Sequence, residues 1–495
     1  MFWVDEAFSS LRISGHTYAQ VTALFDGRLH DAAEVAALQE TPQGLAATVS
    51  SIVREEPQRG LAYYVGALFW SDVFGAGIAA ERAFSAMLGT IGIGLGFLLG
   101  RRATRSPLGG LVLAALIALS PFHIRYSQQV REYVLFADCV LLAGWLLLRA
   151  LERPNATRWS LFAVASVFGL CVEPLFGFVL LAAAAVVAFE RPLERAKLAG
   201  FALAATAALV SFIPLGLLNL QATARTAVGV SWAGTPYAPQ GYVTKWVFNL
   251  GATFFDAELA SRWWAIALVP LLLLMAYAIV FAVRRARAGD RASRLALAFL
   301  GCTSLPFILG DIVKHAHYEA VTRYQVVTWI GLELAVALAL TAALTSSDAR
   351  LRLGSTVAFA AVLGYGAIST IVSRPYELWW DNNQTVATAS VAAAIPSHPT
   401  PTIIAQRAVA VDLLALGRYL YRDDRLFLVR SRPVGLDARS GPYFAFLPDA
   451  SLRSVLGRHG KLVNASPAVR SIVPHLARES GDQSDPQNAL WRWYP

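Results

Sequence analysis

The chain consists mainly of apolar runs of roughly 15 to 22 residues, separated by short stretches rich in arginine. An α-helix rises about 1.5 Å per residue, so runs of this length match the ~30 Å hydrocarbon core of a bilayer. Only 15% of the residues are charged, whereas a soluble domain carries about 25%. These features exclude a water-soluble enzyme and predict a multi-pass membrane protein.

Ten of these runs have the composition of membrane-spanning helices. The fourth and fifth runs are also compatible with one long segment, 159–189, broken around Pro174. The predicted fold class is an all-α polytopic membrane protein with about 10 to 11 transmembrane helices. The ten predicted helices are 81–100, 107–121, 132–150, 159–172, 174–189, 197–218, 263–283, 295–312, 324–344 and 353–373.

The basic residues alternate between the loops in a way that indicates topology. One set of short loops carries sixteen arginines and lysines, and the opposite loops carry seven although they are longer. The positive-inside rule assigns the first set to the cytoplasm, so the net charge of +9 does not indicate a nucleic-acid partner. Both chain ends then lie outside, and no signal peptide precedes the first outer segment. We therefore expect a further helix upstream of Met1.

Composition divides the chain into three predicted regions. Residues 1–80 form an extracytoplasmic first loop with interfacial helices, because apolar side chains recur there at helical spacing. Residues 81–373 form the transmembrane domain. Residues 374–495 form a small extracytoplasmic α/β domain. We therefore expect localisation in the plasma (inner) membrane, with the C-terminal domain on its outer face.

Short β-prone runs support the α/β assignment of the last region. They lie at 402–405, 426–429 and 443–446. Helices are predicted at 411–420 and at 451–458, the second after Asp449 as N-cap.

No metal or disulfide framework is predicted. The three cysteines all lie in predicted helices and form no C-x-x-C pattern. His315 and His317 beside Glu319 are compatible with a divalent metal, but a solvated loop is the favoured interpretation. The Trp379–Asn382 stretch is interpreted as an interfacial anchor after the last helix. No cofactor is assigned.

Two adjacent carboxylates, Asp5 and Glu6, begin the first outer loop. Adjacent acids in a loop are commonly only solvated. Held at a membrane surface among bulky neighbours such as Trp3, one carboxylate can instead serve as a general base. Both interpretations stay open from the residues alone.

The outer segment Pro121–Tyr133 contains arginines that depart from the inside bias. A charge beside a membrane span persists where it has a partner or a function. The Arg131 guanidinium has donors suited to a phosphate, and Tyr126, Gln128 and Tyr133 add neutral donors and ring faces. The alternative is a belt of side chains that reach the membrane interface.

A second outer helix start, Arg323–Tyr324, repeats this chemistry. Three separate outer loops thus carry acids and phosphate-binding arginines on one face of the membrane. A transferase that uses a lipid-phosphate donor requires such a set.

These motifs, in this order, resemble the protein O-mannosyltransferase and lipid A aminoarabinose transferase superfamily, which are family 39-like glycosyltransferases of the GT-C fold. The resemblance covers roughly residues 1–375. The motifs that carry it are Trp3-x-Asp5-Glu6-Ala7, Trp70-x-x-x-Phe74-Gly75 with Arg82, the Pro121–Tyr133 pattern P-x-x-x-x-Y-S-Q-x-x-R-x-Y, and Arg323-Tyr324.

The resemblance implies a hexosyl or pentosyl transferase with an active site on the outer face and a polyprenyl-phosphate sugar as donor. The acceptor would be a glycan, a lipid or a protein. Asp5 would be the general base and Glu6 its positioning neighbour. Arg131 and Arg323 would hold the donor phosphate, with Tyr126, Gln128, Tyr133 and Tyr324 beside them.

The chain departs from the family pattern at two places. A proline-rich basic motif is replaced by Gln58-Arg59-Gly60-Leu61, in which Arg59 can supply the basic group. A histidine step is replaced by Val172-Glu173-Pro174. Both departures concern the identity of the sugar and the acceptor.

Two other function classes compete with the enzyme. One is a polytopic transporter or flippase of lipid-linked glycans, and the other is a binding scaffold in envelope assembly. A transporter typically buries ionisable residues near mid-bilayer in broken helices. Here the acids and arginines gather in the outer loops, which favours the enzyme.

Overall fold

The structure is a computed structural model. It describes residues 2–190, 194–226, 239–256, 262–315, 318, 321–374, 386–430, 442–467 and 488–495.

Helices dominate the part of the chain that the structure describes. The first ten are α1 (Val4–Ile13), α2 (Tyr18–Ala23), α3 (Ala32–Glu40), α4 (Leu45–Glu55), α5 (Leu61–Phe74), α6 (Ile78–Thr104), α7 (Pro107–Leu119), α8 (Pro121–Tyr126), α9 (Tyr133–Glu152) and α10 (Ala156–Val172). The others are α11 (Gly177–Ala188), α12 (Arg195–Thr226), α13 (Pro239–Gly251), α14 (Arg262–Arg287), α15 (Arg291–Lys314), α16 (Val326–Leu344), α17 (Ala349–Ser373), α18 (Thr388–Ala393), α19 (Ala410–Gly417) and α20 (Ala450–Arg458).

The strands are fewer and short. They are β1 (Leu29–Asp31), β2 (Thr402–Gln406), β3 (Arg425–Val429), β4 (Tyr443–Phe446), β5 (Lys461–Asn464) and β6 (Leu490–Tyr494).

The predicted polytopic helical fold is confirmed. Among the described residues, seven helices are long and apolar enough to cross a membrane: α6, α9, α12, α14, α15, α16 and α17. They are accompanied by four shorter apolar helices, namely α5, α7, α10 and the combination of a 3-10 turn with α11. Pro174 opens that 3-10 turn, so the segment predicted at 159–189 is two elements.

The described chain divides into two compact units. The mixed unit comprises Met1–Glu55, Tyr64–Arg82 and Arg374–Pro495, and the helical unit comprises Glu56–Tyr63 and Ala83–Ser373. The N-terminal and C-terminal segments of the chain therefore form one unit together.

A six-stranded sheet organises the mixed unit, in the order β1-β3-β2-β4-β6-β5. Strands β3, β2 and β4 are parallel and almost wholly buried, as is typical of strands covered on both faces. These are the three predicted strands, which are confirmed. The outer strands β1, β6 and β5 pair antiparallel. Strand β1 comes from the N-terminal segment, so the sheet joins the two ends of the chain.

The predicted helices of the last region are also confirmed as α19 and α20. The Asp449 carboxylate accepts the Leu452 N–H at 2.6 Å and thus caps α20. Leu452 and Leu456 of this helix are buried against Phe427, Tyr443 and other apolar side chains of the sheet. This core forms without a disulfide, since all three cysteines of the chain are free.

The helical unit is built around α16, in which nearly every residue is buried. A helix that is apolar all round occupies the centre of a bundle. It packs against α7, α9, α14, α15 and α17. The 3-10 turn Thr322–Gln325 directly precedes α16, so the central helix fixes the place of Arg323.

Candidate active site

The helical unit holds most of the predicted donor-binding residues. Helix α8 ends at Tyr126, and a short turn leads through Arg131 into α9. Arg131 is only 4% exposed. Its Nη2 donates to the Tyr133 hydroxyl at 3.0 Å, and its guanidinium lies 5.0 Å from the Tyr133 ring centroid. Glu132 forms an ion pair with it at 3.4 Å. Arg131 is thus held in a fixed geometry at the start of a spanning helix.

The turn that carries Arg323 meets this loop in space. The Tyr126 hydroxyl lies 3.1 Å from the Thr322 Oγ1, and the Tyr126 ring packs edge-on against Tyr133 with centroids 5.4 Å apart. The charges of Arg131 and Arg323 both act on the Tyr133 hydroxyl. The structure therefore brings together two loops that are almost 200 residues apart in sequence.

Tyr324 supports the Arg323 side chain. The Arg323 guanidinium lies 5.6 Å from the Tyr324 ring centroid. Phe307 also stacks on Tyr324, with an interplanar angle of 15°. A guanidinium at this distance is attracted to the face of the ring.

A third segment, the turn before α5, brings Arg59 to the same cluster. Arg59 forms an ion pair with Glu56 at 2.7 Å. Its charge and that of Arg131 both act on Glu173, which lies in the connection between α10 and the 3-10 turn. Glu173 is 8% exposed, and burial raises its pKa to about 8. We call Arg59, Arg131, Arg323, Glu132 and Glu173 the arginine cluster.

The two glutamines of the loop are arranged differently from the sequence prediction. Gln128, the predicted donor-site residue, is exposed. Gln129 is 8% exposed, and its Oε1 makes no hydrogen bond to any residue that the structure describes. The sequence shows two equivalent amides, and only the path of the turn decides which one is buried.

Asp5 and Glu6 lie in the mixed unit, in the first turn of α1. Asp5 is half-buried. Glu6 is fully buried, and both its carboxylate oxygens accept from Arg82, at 2.9 Å from Nε and 2.6 Å from Nη2. Glu6 Oε2 also accepts the Trp3 N–H at 3.3 Å. These contacts of Glu6 stabilise the start of α1.

We expect Arg82→Ala to lower the free energy of unfolding by about 3 to 5 kcal/mol, because it leaves the Glu6 carboxylate buried without its ion-pair partner. Thermal unfolding of the purified protein in detergent measures this effect. Arg28→Ala is the matched control, since the Arg28 side chain is 83% exposed and an exposed pair contributes about 0 to 1 kcal/mol. Equal destabilisation by both variants would contradict the stabilising role of these contacts.

Residues from the C-terminal segment hold the beginning of α1. The Phe2 N–H donates to the Tyr419 hydroxyl at 2.8 Å, and the Arg418 guanidinium lies 5.2 Å from the Phe2 ring centroid. Arg418 also pairs with Glu81 at 3.3 Å, and Glu81 accepts from Ser10 at 2.6 Å. These buried contacts tie α1 to α6 and α19. No sequence pattern indicated Tyr419 or Arg418, because their partners are more than 300 residues away.

No group of three or more histidines, cysteines or carboxylates suited to a metal occurs among the residues with described positions. His315 is the αL C-cap of α15. His317, Glu319 and the Trp379–Asn382 stretch lie outside the described residues.

A family comparison matches part of the chain. Residues 61–217 match the family model described as dolichyl-phosphate-mannose-protein mannosyltransferase. A sequence search against curated proteins gives no match.

The chain is similar in fold to a solved structure. The ArnT of Cupriavidus metallidurans, bound to undecaprenyl phosphate, superposes with a TM-score of 0.51 at 13% identity, covering 88% of each chain. The oligosaccharyltransferase of Archaeoglobus fulgidus, tethered to an acceptor peptide, gives a TM-score of 0.42 at 11% identity over 75% of this chain and 56% of its own.

Proposed function

We propose that this chain, a membrane glycosyltransferase of the GT-C fold and of the protein mannosyltransferase and ArnT type, transfers a sugar from a polyprenyl-phosphate carrier to an acceptor on the outer face of the membrane. The observation that carries the proposal is the arginine cluster. It draws Arg59, Arg131 and Arg323 from three distant segments to one place in the helical unit.

The cluster suits a lipid phosphate that acts first as substrate and then as leaving group. A sugar phosphodiester carries one negative charge, and the phosphate released from it carries additional charge as the bond to the sugar breaks. Guanidinium groups form charge-assisted hydrogen bonds to phosphate oxygens, and these strengthen as that charge develops. Tyr133 contacts the Arg131 guanidinium and Tyr324 the Arg323 guanidinium, so little reorganisation is needed during the reaction.

Asp5 is the proposed general base. It removes the proton of the acceptor hydroxyl as that oxygen attacks the anomeric carbon, while the bond from this carbon to the phosphate oxygen breaks. Attack from the face opposite the leaving group inverts the anomeric centre. Glu6 does not share this role, since Arg82 and the Trp3 N–H occupy its oxygens.

The outer-face location rests on the distribution of basic residues. The arginine-rich loops mark the cytoplasmic side by the positive-inside rule, and the loops that carry Arg131 and Arg323 alternate with them. In a bacterial cell this places the reaction outside the plasma (inner) membrane. The acceptor is a glycan, a lipid or a protein, and the transferred sugar is a hexose or a pentose.

Comparing the envelope glycans of a deletion strain with those of its parent tests the proposed function. Mass spectrometry is expected to show one sugar residue missing from a single glycan, lipid or glycoprotein. A plasmid copy of the wild-type gene restores it. An unchanged set of glycans would contradict the proposal.

One observation favours the alternative, a transporter or flippase of lipid-linked glycans. Glu333 is fully buried within the spanning helix α16, and His123 Nε2 lies 3.1 Å from its Oε2. Ionisable residues inside spans often mark transport pathways. In proteoliposomes, a transporter would move a fluorescent lipid-linked glycan from one leaflet of the membrane to the other without releasing polyprenyl phosphate. The proposed enzyme releases polyprenyl phosphate.

A further inference from the structure

Glu173 occupies an unusual position for a carboxylate, because it is buried beside arginines. Its Oε1 accepts the Leu175 N–H at 3.3 Å and so caps the 3-10 turn. The charged groups that act on it are Arg131 and Glu132 at the start of α9 and Arg59 in the turn before α5. On its own element, Cys171 is the nearest titratable neighbour in sequence.

The backbone fixes Arg59 close to Glu173. Gly60 lies directly against the Val172 carbonyl, so that a Cβ at position 60 would overlap its oxygen. Only glycine allows this approach. Because Arg59 precedes Gly60 and Glu173 follows Val172, the contact joins the two segments at the positions where the chain departs from the family pattern. The two places at which the sequence differs from the family pattern thus belong to one local structure.

The charge of the cluster depends on the protonation state of Glu173. The three arginines are accompanied by Glu132 and by Glu56, the partner of Arg59. Ionisation of Glu173 lowers the net charge of this set by one. A phosphodiester carries a negative charge, so it is favoured by the state in which Glu173 is neutral. Burial raises the pKa of Glu173 to about 8, which makes the neutral acid the main form at neutral pH.

We propose that Glu173 is a positioning residue for the lipid-linked donor: as a neutral acid it leaves the arginine cluster available to the donor phosphate, and as a carboxylate it competes with that phosphate. This inference rests on the proposed function, because it requires the donor phosphate to bind at the cluster. Under this proposal, protonation of Glu173 controls the affinity of the protein for the donor.

The direction of the pH dependence follows from linkage. Donor binding is strongest below the pKa of Glu173 and weakens as the pH rises through it, since binding then requires the carboxylate to take up a proton. One pH unit above this pKa the dissociation constant of the donor is expected to be about tenfold larger than at neutral pH. The side chains of Arg59, Arg131 and Arg323 stay charged throughout this range.

The experiment measures binding of a phosphodiester whose charge does not change with pH. A polyprenyl methyl phosphate is suitable, because a phosphate monoester has a second pKa of about 6 and would titrate itself. The dissociation constant is measured for the full chain in detergent micelles at about pH 7 and about pH 9. The variants are Glu173→Gln, which keeps the acceptor for the Leu175 N–H, and Glu173→Asp, which keeps an ionisable group. Glu152→Gln is the control, since Glu152 pairs with Arg102 away from the cluster.

We expect the wild type, Glu173→Asp and Glu152→Gln to lose affinity as the pH rises, and Glu173→Gln to bind equally at both values. A purely structural role would change stability but leave the pH dependence intact. An equal pH dependence in Glu173→Gln and the wild type would overturn the inference, as would a wild type whose affinity does not change with pH. Failure of the wild type to bind the diester at either pH would instead count against the proposed function.

Discussion

Replacing Asp5 with asparagine is expected to lower the rate of sugar transfer by about 100- to 10,000-fold, because general-base catalysis typically contributes that much. Asparagine has nearly the same shape as aspartate but cannot take the acceptor proton at neutral pH. Asp5 is half-buried in the first turn of α1, and the Glu6–Arg82 ion pair and the Phe2 contacts also hold that turn. The measurement is transfer of a labelled sugar from a polyprenyl-phosphate donor in membranes that contain the variant.

Asp26→Asn is the matched control, since it makes the same chemical change in the same unit. Asp26 Oδ1 bonds His30 Nε2 at 3.1 Å near the surface and has no proposed role in transfer. Its transfer rate is expected to equal that of the wild type. The amount of Asp5→Asn protein in the membrane and its thermal unfolding should also match the wild type. Undiminished transfer by Asp5→Asn would refute the assignment of Asp5 as base.

Arg131→Ala is expected to raise the dissociation constant of the lipid-linked donor by about 10- to 100-fold, because a hydrogen bond to a charged group contributes about 1.5 to 3 kcal/mol. Tyr133 and Glu132 hold the Arg131 side chain in the wild type. Arg131→Lys should bind the donor with intermediate affinity, since an ammonium keeps the charge but cannot bind two phosphate oxygens side by side. Binding of the donor at constant pH measures both variants.

Arg149→Ala controls for the loss of an arginine near the other end of α9. Arg149 lies in the last turn of α9, where its guanidinium packs 4.5 Å from the Trp145 ring centroid. Donor affinity is expected to be unchanged in this variant. If Arg131→Ala altered only the Michaelis constant for the acceptor, Arg131 would belong to the acceptor site and its phosphate role would be wrong.

The sequence was sufficient to predict the spanning helices and the three central strands. Both are encoded locally: a spanning helix needs a continuous apolar run, and β2, β3 and β4 are short runs of β-prone residues buried on both faces. The break at Pro174 was also visible, because proline cannot continue the hydrogen-bond ladder of a helix. Local patterns thus define most of the elements.

The outer strands and the contacts of the site were not predictable in the same way. Strand β1 is three residues long and mostly exposed, and only its pairing with β3, nearly 400 residues later, makes it a strand. Strand β6 likewise depends on β4 and β5. Non-local pairing leaves no periodicity in so short a segment.

At the candidate site, too, only some residues could be predicted from the sequence. Arg131 and Arg323 could be selected from their unusual place in the outer loops. The approach of Arg59 to Glu173 could not, because it depends on the contact between Gly60 and the Val172 carbonyl. The ion pair of Glu6 with Arg82 also joins two separate segments, so it could not be predicted from the local sequence.

The proposed function is tested most directly by measuring transfer from a labelled polyprenyl-phosphate sugar with purified protein. Membranes of the deletion strain supply the unmodified acceptor, and lipid extracts of metabolically labelled cells supply the donor. The wild type is expected to move label into the acceptor and to release polyprenyl phosphate in equal amount, whereas Asp5→Asn does neither. Label that stays entirely on the lipid carrier in the presence of wild-type protein, donor and acceptor would contradict the assignment of this chain as a transferase.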